Sequence, residues 1–198
     1  MMMNDLAPGL CDDVHDSQNA FRGVLDALAR PGQKRLIGPK LSGVEMGGAM
    51  ARLLLTLTDD ETPVWWQTED LGLQKWLRFH TGAPVTLWPG AAYFAVVSTT
   101  ETHFNLADFA AGSAEAPEFS ATLLVEVSAF EGGIATAWYG PGIETVQAVA
   151  IQGVPADFWQ KRRDNPCAFP QGVDVVFTCG DHALGLPRTT RVNVCEGA

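Results

Sequence analysis

Two short stretches of the sequence carry residues whose types and spacing suit an anion. The first is Leu77-Arg78-Phe79-His80-Thr81-Gly82-Ala83-Pro84. Its apolar spacing predicts a helix that ends near His80, so Arg78, His80 and Thr81 fall on the last turn and the bend after it. A guanidinium beside an imidazole and a hydroxyl suits an anionic oxygen and a proton transfer, with His80 as the candidate catalytic group. Arg and His there also complement the negative end of a helix dipole and need no ligand to be useful. The second stretch is Leu186-Pro187-Arg188-Thr189-Thr190-Arg191-Val192. Strand alternation sets Arg188 with Thr190 on one face and Thr189 with Arg191 on the other, and either pair matches a phosphate or phosphonate oxygen. Charges that protect an edge strand from aggregation look the same. Asp174 follows the turn Phe169-Pro170-Gln171-Gly172-Val173 and is placed either to orient an Arg or His or to stabilise that turn.

No familiar catalytic signature joins them. There is no GxSxG elbow, no Walker loop and no HExxH. Gly140-Pro141-Gly142 starts like a dinucleotide-binding loop, but Thr145 stands at the third glycine's place and strands are expected on both sides. The four lysines (Lys34, Lys40, Lys75, Lys161) lie in no setting that would desolvate one for a Schiff base, so pyridoxal phosphate is not expected, nor any other cofactor. Cys11, Cys167, Cys179 and Cys195 form no CxxC and no Cys/His cluster at zinc spacing, so no metal is expected. They read as buried or incidental thiols of a reducing compartment.

The elements that must position these residues follow from periodicity and turn chemistry. Residues 1–15 read as a loose acidic tail, and residues 16–198 as one α/β domain. Asp16 or Ser17 caps a helix carrying Phe21, Leu25 and Leu28, which Pro31-Gly32 ends; Lys34–Ile37 is a short strand. Ser42 and Glu45 form a capping box before a helix with Met46, Met50, Leu53, Leu54 and Leu57. Val64-Trp65-Trp66 is a buried strand, Leu71–His80 a helix, and Val85–Trp88 and Tyr93–Val97 are strands. A short helix spans Asn105–Ala111. Ala121–Val127 and Ile134–Tyr139 flank Glu131-Gly132-Gly133 as a hairpin. Glu144–Val149 is a strand and Pro155 opens a helix. Val173–Thr178 and Ala183–Leu186 form a second hairpin, and Arg191–Val194 a last strand. The sum is a central mixed β-sheet flanked by helices.

Composition narrows the function classes. Apolar residues make up 46% of the 198 and charged residues 18%, enough for a packed core. A net charge of −10 argues against nucleic-acid and anionic-membrane surfaces, although nine of the thirteen basic residues are Arg, the better fork for local anions. The N-terminus has no apolar core of a signal peptide, and no run reaches the roughly 20 residues of a membrane span, so a cytoplasmic location is expected.

Read together, the stretches resemble the PhnH family, the H subunits of the bacterial carbon–phosphorus lyase core complex. The matching pieces include Phe21-Arg22, Pro31-Gly32, Leu54-Leu55-Thr56-Leu57 and Asp60-Glu61-Thr62-Pro63-Val64-Trp65. They continue through Leu77–Thr81 with Ala83-Pro84, Ala116-Pro117-Glu118, Ala121-Thr122-Leu123, Gly140 and Gly142-Ile143. The last group is Phe169-Pro170, Gly172-Val173-Asp174, Thr178-Cys179-Gly180 and Leu186–Thr190, and Gln171 departs from an expected apolar residue. The resemblance implies a fold similar to the large domain of pyridoxal-phosphate aminotransferases, without that cofactor. It implies association with the G, I and J subunits, and a homodimer in isolation. It also implies a part in making ribose 1-phosphonate 5-triphosphate from ATP and a phosphonate. Three roles stay open: an interaction subunit, a direct contributor to phosphonate or triphosphate binding through Arg78, His80, Arg188 and Arg191, and a stand-alone small-molecule enzyme.

Overall fold

Thr122-Leu123-Leu124-Val125-Glu126 is apolar at its three central positions, as a strand covered on both faces must be. The computed structural model, which describes residues 6–98, 104–164 and 169–195, puts that segment in the middle of a sheet. In chain order the elements are α1 (Asp13–Ala29), β1 (Lys34–Leu36), α2 (Gly48–Leu57), β2 (Val64–Trp66), α3 (Leu71–Thr81), β3 (Val85–Thr86), β4 (Phe94–Ser98) and β5 (Thr122–Glu126). They continue as β6 (Thr136–Tyr139), β7 (Gln147–Val149), α4 (Ala156–Asp164), β8 (Asp174–Cys179), β9 (His182–Leu186) and β10 (Arg191–Val194). Seven strands form a mixed sheet in the order β1-β9-β8-β5-β4-β2-β3, parallel from β8 to β3 and antiparallel at β9 and β1. A second, three-stranded antiparallel sheet runs β10-β6-β7.

Alternation along the central strands divides the core in two. Leu124 and Val176 point to the face covered by α1, α2 and α3, with Met50, Leu53, Leu54 and Trp76. Leu123, Val125, Val175 and Phe177 point to the other, where α4 and the small sheet bring Phe158, Trp159 and Trp138. This is a single α/β domain of a mixed sheet flanked by helices. α1 sits close on β9 because Gly185 has no side chain: a Cβ there would stand 2.6 Å from the Ala27 carbonyl oxygen. No helix among the described residues is long and apolar enough to cross a membrane.

Several expectations are corrected. α1 starts at Asp13 with Asp12 as its cap, three or more residues before Asp16 or Ser17. The stretch before it is no loose tail from residue 6 onward, since the Ala7 carbonyl accepts bonds from Trp76 and His80; residues 1–5 lie outside those described. Ser42 and Glu45 do not box α2. That helix starts behind Gly47, whose N–H reaches the distant Glu126 carboxylate at 2.9 Å. The Asn105–Ala111 helix is only a 3₁₀ turn, Leu106–Asp108, although Asn105 does cap it. The 121–127 and 134–139 segments form no hairpin. Glu131-Gly132-Gly133 carries the chain from β5 in the large sheet to β6 in the small one. The second hairpin and the final strand are as expected. Of the two readings of the cysteines, incidental fits better than buried: Cys11 and Cys195 are exposed and Cys179 half-buried, all three as free thiols, while Cys167 lies outside the described residues.

Asp12 gives α1 a pH-sensitive start. Its carboxylate accepts the Val14 and His15 amides at 3.2 and 3.0 Å. The His15 N–H, then the His15 ring, holds its carboxyl below the ordinary value. The folded-state pKa is depressed, so the cap's contribution is present above the unfolded value and is lost as pH falls through the folded one. Amide protection factors at Val14 and His15 should therefore drop on acidification through that range, while those of the buried Val24 turn hold.

Candidate functional site

Strand register fixes where the two anion-suited stretches lie. Val64 is level with both Val85 and Phe94, Phe94 with Thr122, and Thr122 with Asp174. The parallel strands thus begin along one end of the large sheet, and both stretches lie at that end. Leu186 is level with Val175, so Arg188, two residues on, arrives beside the start of β8.

Arg188 is bound on every side. Its Nε–H donates to the two Asp174 carboxylate oxygens at 3.2 and 3.1 Å, and Nη2 donates to Oδ2 at 2.5 Å. Nη1 donates to the Pro117 and Pro170 carbonyls at 3.0 and 3.3 Å, and Nη2 also bonds the Ser120 hydroxyl. The backbone N–H of Arg188 adds a bond to Asp174 Oδ1 at 2.6 Å. A guanidinium has five N–H donors, and these partners use all of them. Asp174 orients an arginine, one of its two expected roles. The arginine is then a clamp that joins β8, the 3₁₀ turn Pro117–Phe119 and the Phe169-Pro170 segment; it has no donor left for a ligand. Arg162 of α4 braces the same end through the Val173 and Pro187 carbonyls, at 3.2 and 2.7 Å.

The expected alternation of the second stretch is replaced by a turn. The Thr190 N–H closes on the Pro187 carbonyl at 2.9 Å, and β10 begins only at Arg191. Thr190 is buried with no partner for its hydroxyl among the described residues, while Arg191 is exposed on β10 opposite Tyr139. Arg188, Thr190 and Arg191 therefore do not line one anion site within the chain.

The first stretch caps α3 as its residue types allow. Gly82 takes the left-handed conformation (φ 81°) that ends the helix, and its N–H returns to the Arg78 carbonyl. The Thr81 hydroxyl donates to the Leu77 carbonyl at 2.9 Å and accepts the Ala83 N–H at 3.1 Å. The His80 Nε2–H donates to the Ala7 carbonyl at 3.0 Å, the same oxygen that takes the Trp76 indole N–H. His80 thus pins the N-terminal segment to α3. Arg78 is exposed and has no partner among the described residues. From β3, which α3 feeds, to β8 there are four strand spacings, about 19 Å at ordinary inter-strand distance. The two stretches share an end of the sheet, and among the described residues no hydrogen bond or ion pair joins them.

Residues 8–193 match the family model described as bacterial phosphonate metabolism protein (PhnH). The chain belongs to the PhnH family. It is 38% identical over 184 residues to the alpha-D-ribose 1-methylphosphonate 5-triphosphate synthase subunit PhnH of Rhizobium meliloti (strain 1021), covering 91% of this chain and 92% of that protein. It is 29% identical over 185 residues to HtxG of Stutzerimonas stutzeri, named there as a candidate C-P lyase subunit protein, covering 89% and 86%.

In this PhnH-family chain one further hollow escaped the sequence. Two adjoining spaces, roughly 370 and 320 Å³, lie between the edges of the two sheets and share Lys34, Phe130 and Glu131. Lys34 Nζ faces Glu131 at 3.4 Å, and the His182 ring, bonded to Asp181 at 2.5 Å, borders the smaller space with Cys179. The rest of the lining is mainly apolar and comes from widely separated segments, so no motif could announce it. Among the described residues, no group of three or more His, Cys, Asp or Glu could hold a metal ion.

Proposed function

We propose that this chain is mainly an interaction subunit of the carbon–phosphorus lyase machinery, acting in the cytoplasm and inactive alone. In this reading it assembles with the G, I and J subunits and forms a homodimer when isolated. The assembly supports the transfer that makes ribose 1-phosphonate 5-triphosphate from ATP and a phosphonate. The related fold is the large domain of pyridoxal-phosphate aminotransferases, without the cofactor. The observation that carries the proposal is the saturated Arg188 guanidinium: the best-placed cation of the candidate site is spent on architecture. The subunit names of both relatives support it, as does the His80 ring nitrogen being bonded to the Ala7 carbonyl.

Co-expression with G, I and J tests the proposal. Wild-type chain should enter the complex, and His80→Ala should enter it with turnover nearly unchanged, far from the roughly 10²–10⁴-fold loss of a missing general acid or base. An assembled complex that lost turnover to that degree would refute the structural role. A second reading is favoured by one observation, the exposed Arg78, which has no partner among the described residues and could complete an anion site built by another subunit. On that reading Arg78→Ala leaves assembly intact and raises KM for the anionic substrate.

A further inference from the structure

We propose that Cys179, with His182 and Asp181, forms a thiol-exchange site at the smaller space between the two sheets, and that the site takes a small disulfide carrying both carboxylate and ammonium groups. The chemistry belongs to the chain by itself and goes beyond the subunit reading above.

Strand register builds the cluster. Gly180-Asp181 closes the β8–β9 hairpin and sets Cys179 directly opposite His182. Side chains paired in this way share a face of the sheet, with Cβ atoms about 5 Å apart. Leu184, two residues on from His182, lies opposite Lys34 of β1, so Lys34 shares that face too. A space of roughly 320 Å³ is bordered by these three side chains and by Ala129, Phe130 and Glu131 of the segment after β5.

Each member has a part in thiol chemistry. The His182 ring is bonded to Asp181 through Nδ1, at 2.5 Å from Oδ1. An ionised carboxylate only accepts, so Nδ1 carries the proton and Nε2 is left as an acceptor with no partner among the described residues. A nucleophile beside a base that a third group orients is the arrangement that activates a thiol. Cys179 is a half-buried free thiol whose S–H donates to the Ser128 carbonyl at 3.4 Å. That weak bond holds the sulfur at the edge of the space and is given up when the proton moves to His182 Nε2. The Cys179 sulfur then attacks one sulfur of the disulfide, and a new S–S bond forms as the old one breaks. The other half leaves as a thiolate and takes the proton back from His182. Cys179 is oxidised to a mixed disulfide and the released half is reduced to a thiol, so no further reagent is needed.

Charge at the rim selects the disulfide. Lys34 Nζ faces Glu131 at 3.4 Å, with side chains 56% and 86% exposed. A pair so exposed contributes little by itself and opens readily. A ligand with a carboxylate and an ammonium takes both partners at once, while Phe130 offers its apolar stem a wall. The adjoining space of roughly 370 Å³, which shares Lys34, Phe130 and Glu131, has room for the leaving half.

The test incubates the full-length chain with glutathione disulfide and follows each cysteine by peptide mapping and mass. Cys179 should be thiolated faster than Cys195, although Cys195 is the more exposed. His182→Asn should slow Cys179 about tenfold or more, as loss of a positioned base does, and leave Cys195 unchanged. Asp181→Asn should slow Cys179 in the same sense, and it carries the comparison if His182→Asn lowers the urea midpoint. Lys34→Met with Glu131→Gln should slow the reaction with glutathione disulfide but not with an uncharged hydroxyethyl disulfide. A wild-type chain in which Cys179 reacts more slowly than Cys195 would overturn the site. So would a His182→Asn chain, folded as wild type is, whose Cys179 reacts at the wild-type rate. If the Lys34 and Glu131 changes slowed both disulfides alike, or neither, the charged class of ligand would be wrong.

Discussion

Arg188→Leu is expected to lower the stability of the isolated chain by about 3 kcal/mol, the lower part of the range for stranding one member of a buried ion pair. The cost comes less from the lost attraction than from what remains. Asp174, with its side chain 19% exposed, would keep a single amide bond, and the Pro117 and Pro170 carbonyls and the Ser120 hydroxyl would lose their shared donor. In a domain of this size that loss corresponds to roughly 6–12 °C in Tm. Lysine should not rescue it, because one ammonium cannot reproduce a planar fork that reaches four groups. The measurement is urea or thermal unfolding of the chain alone. An Arg188→Leu chain as stable as wild type would mean that the guanidinium is available for a ligand, and the direct-binding reading would return.

Phe177→Ala should be costlier still, about 3–5 kcal/mol. Phe177 is fully buried on the central strand β8, with Phe158 and Trp159 of α4 at ring centroid distances of 6.0 and 5.9 Å. Trp159 in turn meets Trp138 of β6 at 6.1 Å. This aromatic chain fastens α4 and the small sheet to the large one, so truncation opens a cavity where three layers meet. Unfolding should show a lowered urea midpoint and weaker near-ultraviolet ellipticity from the two tryptophans. Phe177→Leu, which keeps most of the volume, should cost markedly less. Equal losses for the two variants would mean that this packing does not hold the layers together.

Local signals were legible wherever a few neighbouring residues decide the outcome. Gly82, in the bend after Thr81, ends α3 as a left-handed residue, and Gly180-Asp181 turns β8 into β9 as the hairpin pattern predicts. Pairing between distant segments was not legible. The Glu131-Gly132-Gly133 turn looks like a hairpin link, yet Thr122–Glu126 finds parallel partners on both sides, and the segment after the turn must cover the opposite face. The Ser42–Glu45 capping box was a misleading signal of the same kind: Glu126, about eighty residues on, supplies the carboxylate near that helix start.

The sequence by itself determined that this is an α/β domain of strongly negative net charge, that the four α-helices among the described residues and most of the strands lie about where periodicity puts them, though two of the helix starts lie elsewhere, and that its motifs are those of the PhnH family. It also named Arg78, His80, Arg188 and Asp174 as the residues to watch. Only the tertiary structure decided what each does. Whether an arginine binds a ligand depends on how many of its five donors the fold has already used, and here Ser120, Pro117, Pro170 and Asp174 come from three separate segments to use them all. Whether an apolar side chain is buried or exposed likewise depends on strand register, a property of distant pairs that no local pattern encodes.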